Sequence, residues 1–140
     1  MIQYVVDANV AIKWILPEIY SQAALRLRNP NYQLLVPDFF FPEIGNIFWK
    51  RVKRREMTIQ EAIRDLTTIQ GIPLKIEQSF PLMVHALETA TRVDQAVYDC
   101  VYLSLAVKHS CQMVTADQRF YNALKRDPLS VHLCWIADLP

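Results

Sequence analysis

Residues Ile2 to Asn9, reading Ile-Gln-Tyr-Val-Val-Asp-Ala-Asn, constrain what this chain can fold into more than any other stretch. Five mostly apolar, partly β-branched residues predict a buried strand that stops at a carboxylate, Asp7, with Asn9 two positions later. An ionised carboxylate beside a packed core is costly to desolvate, so Asp7 requires a helix N-terminus, a basic partner or a bound cation as compensation. In an open parallel sheet ligands bind outside the carboxyl ends of the strands, which is where Asp7 lies if this strand is central.

The remaining segments alternate between helical and extended patterns. Asn9 is the expected start of a short helical segment through Ala11 to Leu16, ended by Pro17, and Ser21 opens a second helix through Arg28. Leu34 to Val36 predict a strand stopped at Pro37, with Asp38 placed to cap a helix from Phe40 to Arg55 whose apolar stripe is Ile44, Ile47, Phe48 and Val52. Thr58 and Glu61 form a capping-box signature for a helix ending near Gly71, followed by a brief strand at Leu74 to Ile76 and an amphipathic helix from Ser79 to Arg92. Val97 to Val107 is nearly continuous in apolar and aromatic residues, predicting a helix buried on most sides with Asp99 in its first turn. Met113 to Thr115 predict a strand that stops at Asp117, before a helix from Gln118 to Lys125 and a last edge strand at Val131 to Trp135.

This alternation argues for an α/β/α sandwich with a central parallel sheet. With right-handed crossovers, a strand order of 3-2-1-4-5 sets the first strand beside the fourth, so that Asp7 and Asp117 leave adjacent strand ends near the start of the Asp99 helix. The 140 residues suit one domain, 1–140, with no linker, and no apolar run approaches the ~18 residues of a membrane span. The early Asp7 and the lack of a basic start predict no signal peptide, hence a cytoplasmic protein in which Cys100, Cys111 and Cys134 stay reduced. Two glycines, Gly45 and Gly71, are too few for a dinucleotide fingerprint or a phosphate-cradling loop, and the three scattered histidines do not form a zinc motif.

Asp7, Glu43, Asp99 and Asp117 each interrupt or terminate an apolar segment. If they meet in one cleft, each raises the others' pKa unless cations intervene, and hard oxygen ligands select Mg²⁺ or Mn²⁺. Such a site activates water for attack on a phosphodiester. Lys50, Arg51, Lys53, Arg54 and Arg55 crowd five cations into six residues at the far end of the Glu43 helix. They suit either a phosphate backbone, with Lys50, Lys53 and Arg54 as RNA contacts, or a solvated helix end that complements the dipole. Two other readings of the acids are an aspartate-dependent phosphatase with Asp7 as nucleophile and an inert interaction module; Asn9 stands where the former usually has a second Asp.

Four motifs in order carry a family resemblance. They are Val5-Val6-Asp7-Ala8-Asn9 with Lys13-Trp14 and Leu16-Pro17-Glu18; Pro37-Asp38 to Glu43-Ile44-Gly45-Asn46; Tyr98-Asp99 through Tyr102-Leu103-Ser104-Leu105-Ala106; and Val114-Thr115-Ala116-Asp117-Gln118-Arg119-Phe120. Over nearly its whole length the chain resembles the PIN-domain ribonucleases of the VapC toxin type. The resemblance implies a PIN-like fold, a divalent metal held by Asp7 and Asp99, with Glu43 and Asp117 completing the acidic site and Asn9 and Thr115 in supporting places. It also implies endonucleolytic RNA cleavage, a homodimer and a cognate antitoxin that blocks the cleft. Asn9 stands where relatives often carry Ser or Thr, and Gln118 where a basic residue is common.

Overall fold

The computed structural model describes residues 1–140. Five strands, β1 (Ile2–Val6), β2 (Tyr32–Pro37), β3 (Lys75–Glu77), β4 (Gln112–Thr115) and β5 (Leu133–Trp135), make one parallel sheet in the order β3-β2-β1-β4-β5. That is the order expected from the strand and helix alternation. Register pairs Val5 with Leu35 on one side and Met113 on the other, and none of the three is more than 1% exposed. Val5 and its neighbour Val6 point to opposite faces of the sheet and both are fully buried, so both faces must be covered.

Seven α-helices provide that cover: α1 (Ala8–Ile12), α2 (Ser21–Leu25), α3 (Phe40–Lys53), α4 (Ile59–Gln70), α5 (Met83–Val93), α6 (Val97–Lys108) and α7 (Gln118–Leu124). The resulting architecture is an α/β/α sandwich of the expected class. Helix α6 lies across β1, β2 and β4 and is flanked by α5, while α1 and α4 pack on α3. Every residue of α6 from Cys100 to Ala106 is buried, which explains why the segment has no polar stripe in sequence. Helix α3 buries Phe40, Ile44 and Phe48 and leans Ile47 and Val52 on the core, as its spacing predicts. The Thr58 capping box forms in full, with Thr58 Oγ1 accepting from the Glu61 amide at 3.1 Å and Glu61 Oε1 from the Thr58 amide at 3.0 Å.

Several local expectations change: the last strand starts at Leu133, after a 3-10 turn over Pro128–His132, and not at Val131, and the helix from Ser21 tightens to a 3-10 turn at Arg26–Arg28. Asp7, not Asn9, caps α1, because the chain turns into the helix directly from β1 and leaves Asn9 exposed within it. Asp38 caps nothing on α3; its Oδ2 accepts from the Ser79 amide at 3.1 Å, tying the end of β2 to the segment before α5. The helix expected from Ser79 begins as a 3-10 turn at Phe80–Leu82, and its apolar set divides into buried Leu82, Ala86 and Ala90 and exposed Met83 and Leu87. All three cysteines are free thiols, and no helix is long and apolar enough to cross a membrane.

The enclosed α6 makes a sharp test of this packing. Leu103→Ala, at a fully buried position, should destabilise the fold by about 2–5 kcal/mol. Urea denaturation measures it, and a loss below ~1 kcal/mol would mean that α6 is not the core helix.

Candidate active site

Asp7 directly follows β1, and its Oδ1 accepts from the Val10 amide at 2.8 Å, so the residue that ends the strand also starts α1. Only 6% of it is exposed. Asp117 follows β4, the strand beside β1, and plays the same part for α7: its Oδ1 accepts from the Arg119 amide at 2.9 Å and the Phe120 amide at 3.2 Å. Buried Thr115 steadies that turn, its Oγ1 accepting from the Asp117 amide at 3.1 Å. Glu43 and Asp99 stand in the first turns of α3 and α6, both half-buried.

The four carboxylates feel one another. Burial, then the charges of Asp99, Glu43 and Asp117, push the Asp7 carboxyl up to about 7, against the lowering effect of the Val10 amide. Burial raises Glu43 as well, with Asp99 adding to it and the Tyr102 hydroxyl opposing, and burial followed by Asp117 raises Asp99. No Lys, Arg or His forms an ion pair with any of the four. The acids expected to meet therefore share one unbalanced negative field, although no three of them are drawn together tightly enough to make a ready coordination shell. Asn9 lies beside them, lining with Asp117 a pocket of about 280 Å³.

Two features escape sequence reading. Tyr102, 1% exposed, donates its hydroxyl to Glu43 Oε1 at 3.2 Å across 59 residues, and Phe39 packs edge-on against its ring. Glu18 pairs with Lys13 at 3.2 Å and with Arg51, joining the ends of α1 and α3 where a packing role is expected. The only signal in sequence is that Lys13 and Glu18 flank the break at Pro17, and nothing local points to Arg51.

Arg51 thus leaves the basic cluster of α3, while Lys50, Lys53 and Arg54 form no ion pair and border a groove of about 340 Å³ with Trp49, over whose ring Lys53 Nζ sits at 5.2 Å. A larger cavity, about 610 Å³, opens at the other ends of the strands near Tyr32 and Lys75 and contains no acid.

With this geometry in view, residues 4–125 match the PIN domain family. The chain belongs to the PIN domain family. No curated protein matches it. Among solved structures the PIN domain is similar to PAE2754 from Pyrobaculum aerophilum, with a TM-score of 0.69 and 19% identity over 99% of this chain and 86% of that one. It is also similar to VapBC2 from Rickettsia felis bound to a DNA fragment from their promoter, with a TM-score of 0.64 and 15% identity over 96% of this chain and 98% of that one. A third is the sarcin-ricin loop cleaving toxin VapC20 of Mycobacterium tuberculosis, with a TM-score of 0.64 and 17% identity over 86% and 94% of the two chains. At these identities the likeness is one of fold.

The acidic cleft of this PIN domain gives its metal-free stability a definite pH dependence. Asp7 titrates near 7 when folded and near its ordinary 3.8 when unfolded, so between those values the folded state keeps a proton the unfolded chain has released. Stability from this group is therefore greatest in acid and is lost as pH rises through 7, by on the order of 4 kcal/mol at most. Asp7→Asn, which keeps a good capping side chain, should raise the stability of chelated protein near pH 8 and change it little near pH 4. Equal pH dependence of urea midpoints in the two proteins would show that another group titrates.

Proposed function

We propose that this PIN domain is a metal-dependent endoribonuclease that hydrolyses RNA phosphodiester bonds in the cleft of Asp7, Glu43, Asp99 and Asp117, and that it is the toxin of a toxin-antitoxin pair. One observation carries the reading: four acids share a field at the carboxyl ends of β1 and β4 with no basic partner. Asp7, pushed up to about 7, is fully ionised at neutral pH only with positive charge brought from outside. The donors of the site are all oxygens, without imidazole or thiolate, which suits Mg²⁺, with Mn²⁺ as the nearest substitute. Asp7 and Asp99 would hold the ion, and Glu43 and Asp117 would complete the site. When bound, the ion supplies Lewis-acid stabilisation of the phosphoryl oxygens and a more acidic water.

The chain's own residues do the positioning. The Val10 amide occupies one oxygen of Asp7 and leaves the other without a protein partner. Tyr102 orients Glu43, Thr115 sets the turn that presents Asp117, and the exposed amide of Asn9 is free to orient water or phosphate. Lys50, Lys53 and Arg54 draw the RNA backbone along α3. Attack on phosphate by Asp7 itself suits the geometry less, since that carboxyl is 94% buried with one oxygen held by an amide. The likeness to VapBC2 supports a cognate antitoxin and that to VapC20 supports RNA as substrate; a cytoplasmic homodimer is part of the same proposal, from the resemblance of the four motifs to VapC toxins.

Incubation of the purified protein with structured RNAs tests the reading. Mg²⁺-dependent, EDTA-sensitive cleavage should fall at least ~10²-fold in Asp7→Asn and in Asp99→Asn, with folding and dimerisation intact. Undiminished cleavage by both variants would reject the site. Charge reversal at Lys53 and Arg54 should weaken RNA binding and flatten its dependence on salt, and an unchanged salt slope would return those cations to a solvated helix end.

A further inference from the structure

A second polar site adjoins the acids. The pocket of about 280 Å³ that Asn9 and Asp117 enter is also lined by Lys13, Glu18, Arg51 and the apolar side chain of Ile47. Lys13 is 11% exposed, and of the three N–H donors on its ammonium only one is used, by Glu18 Oε1 at 3.2 Å. The other carboxylate oxygen of Glu18 accepts from Arg51, whose second nitrogen has a looser partner, Glu56, at 3.9 Å. A single acid on the loop after Pro17 therefore holds two cations from different helices against one pocket. The entropy of pinning three long side chains, and the desolvation of largely covered charges, offset much of what these pairs contribute to stability.

We infer that this pocket is a nucleotide subsite next to the cleavage site, in which Lys13 contacts a backbone phosphate of the RNA and Glu18 is the positioning residue that sets Lys13 and Arg51. An anion entering it is repelled by Asp117 and Glu18 and drawn to Lys13 and Arg51, and the two unused donors of the Lys13 ammonium are where it is held. Asp7 and Lys13 cap the two ends of α1, six residues and about 9 Å apart along its axis, a span on the scale of one nucleotide of an extended single strand. The neighbouring phosphate thus reaches Lys13 while the scissile one faces the acids. Ile47 offers an apolar wall to a ribose or base, and the free amide of Asn9 a polar edge. The inference rests on the nuclease reading for the identity of the ligand and deepens it by naming where the adjacent nucleotide lies.

The test separates binding from chemistry. In an Asp7→Asn background, the affinity of a short labelled single-stranded RNA is measured over a salt series. Lys13→Met should weaken binding about tenfold at low salt and reduce the slope of log K against log salt by about 0.7, the share of one phosphate on a single strand. Lys13→Arg, which keeps the charge, should recover most of the slope and so separates lost contact from lost folding. With Asp7 restored, Glu18→Gln adds net positive charge, and charge alone would tighten RNA binding and raise kcat/KM; positioning by Glu18 predicts a fall of about tenfold. Parental affinity and slope in Lys13→Met, or a raised kcat/KM in Glu18→Gln, would overturn the subsite. A wild-type protein that binds RNA through Lys13 and cuts none would sink the nuclease reading and leave the subsite standing. Cleavage with Lys13 silent would do the reverse.

Discussion

The burial of one carboxylate, Asp7, within the field of three more open ones is the condition to which the rest of the fold answers. Asp7 is delivered by a strand whose side chains are packed on both faces, so it cannot retreat into water without unpacking β1. Asp99 is tied to the most enclosed helix, α6, and Glu43 is held by Tyr102 of that same helix, which is itself core. Hydrophobic burial is the stronger force, and it fixes acids where electrostatics alone would separate them. Most of the compensation comes from amides and hydroxyls, which orient the carboxylates but do not cancel their charge.

The architecture was legible because its signals are local and repeated. The places of the strands, the Thr58 capping box, the stripe on α3 and the apolar run of α6 are each written within a few turns of chain, and the sheet order follows from their alternation and the handedness of crossovers. The four acids were legible for a related reason, in that each stands where an apolar run breaks. What stayed hidden joins distant residues. The hydrogen bond from Tyr102 to Glu43, the pairing of Arg51 with Glu18 and the bond from the Ser79 amide to Asp38 span 59, 33 and 41 positions, and no periodicity records them. The cap of α1 was misplaced by two residues because Asn9 and Asp7 are equally good capping types and only the geometry of the turn chooses between them.

The two basic features of α3 differ in the same way. Its last turns read as one block of positive charge, yet Arg51 faces the loop of Glu18 whereas Lys50, Lys53 and Arg54 surround Trp49. Helical geometry accounts for the division: neighbours one residue apart diverge by about 100°, so a linear cluster is shared between two surfaces. Charge counted along a sequence is thus a poor guide to where a polyanion lies, and pairing in three dimensions is the better one.

The capping role of Asp7 has an evolutionary side. A side-chain amide at that position would still accept the bond from Val10, since Asn caps helices as well as Asp, and it would no longer carry the charge that three neighbouring acids oppose. If Asp7 serves the proposed nuclease, a change that relieves this fold is therefore also one that disarms it. A lineage would drift towards sturdier, silent copies wherever selection relaxed, and a persistent acid at the end of β1 would record that something in the cell continued to need the strained version.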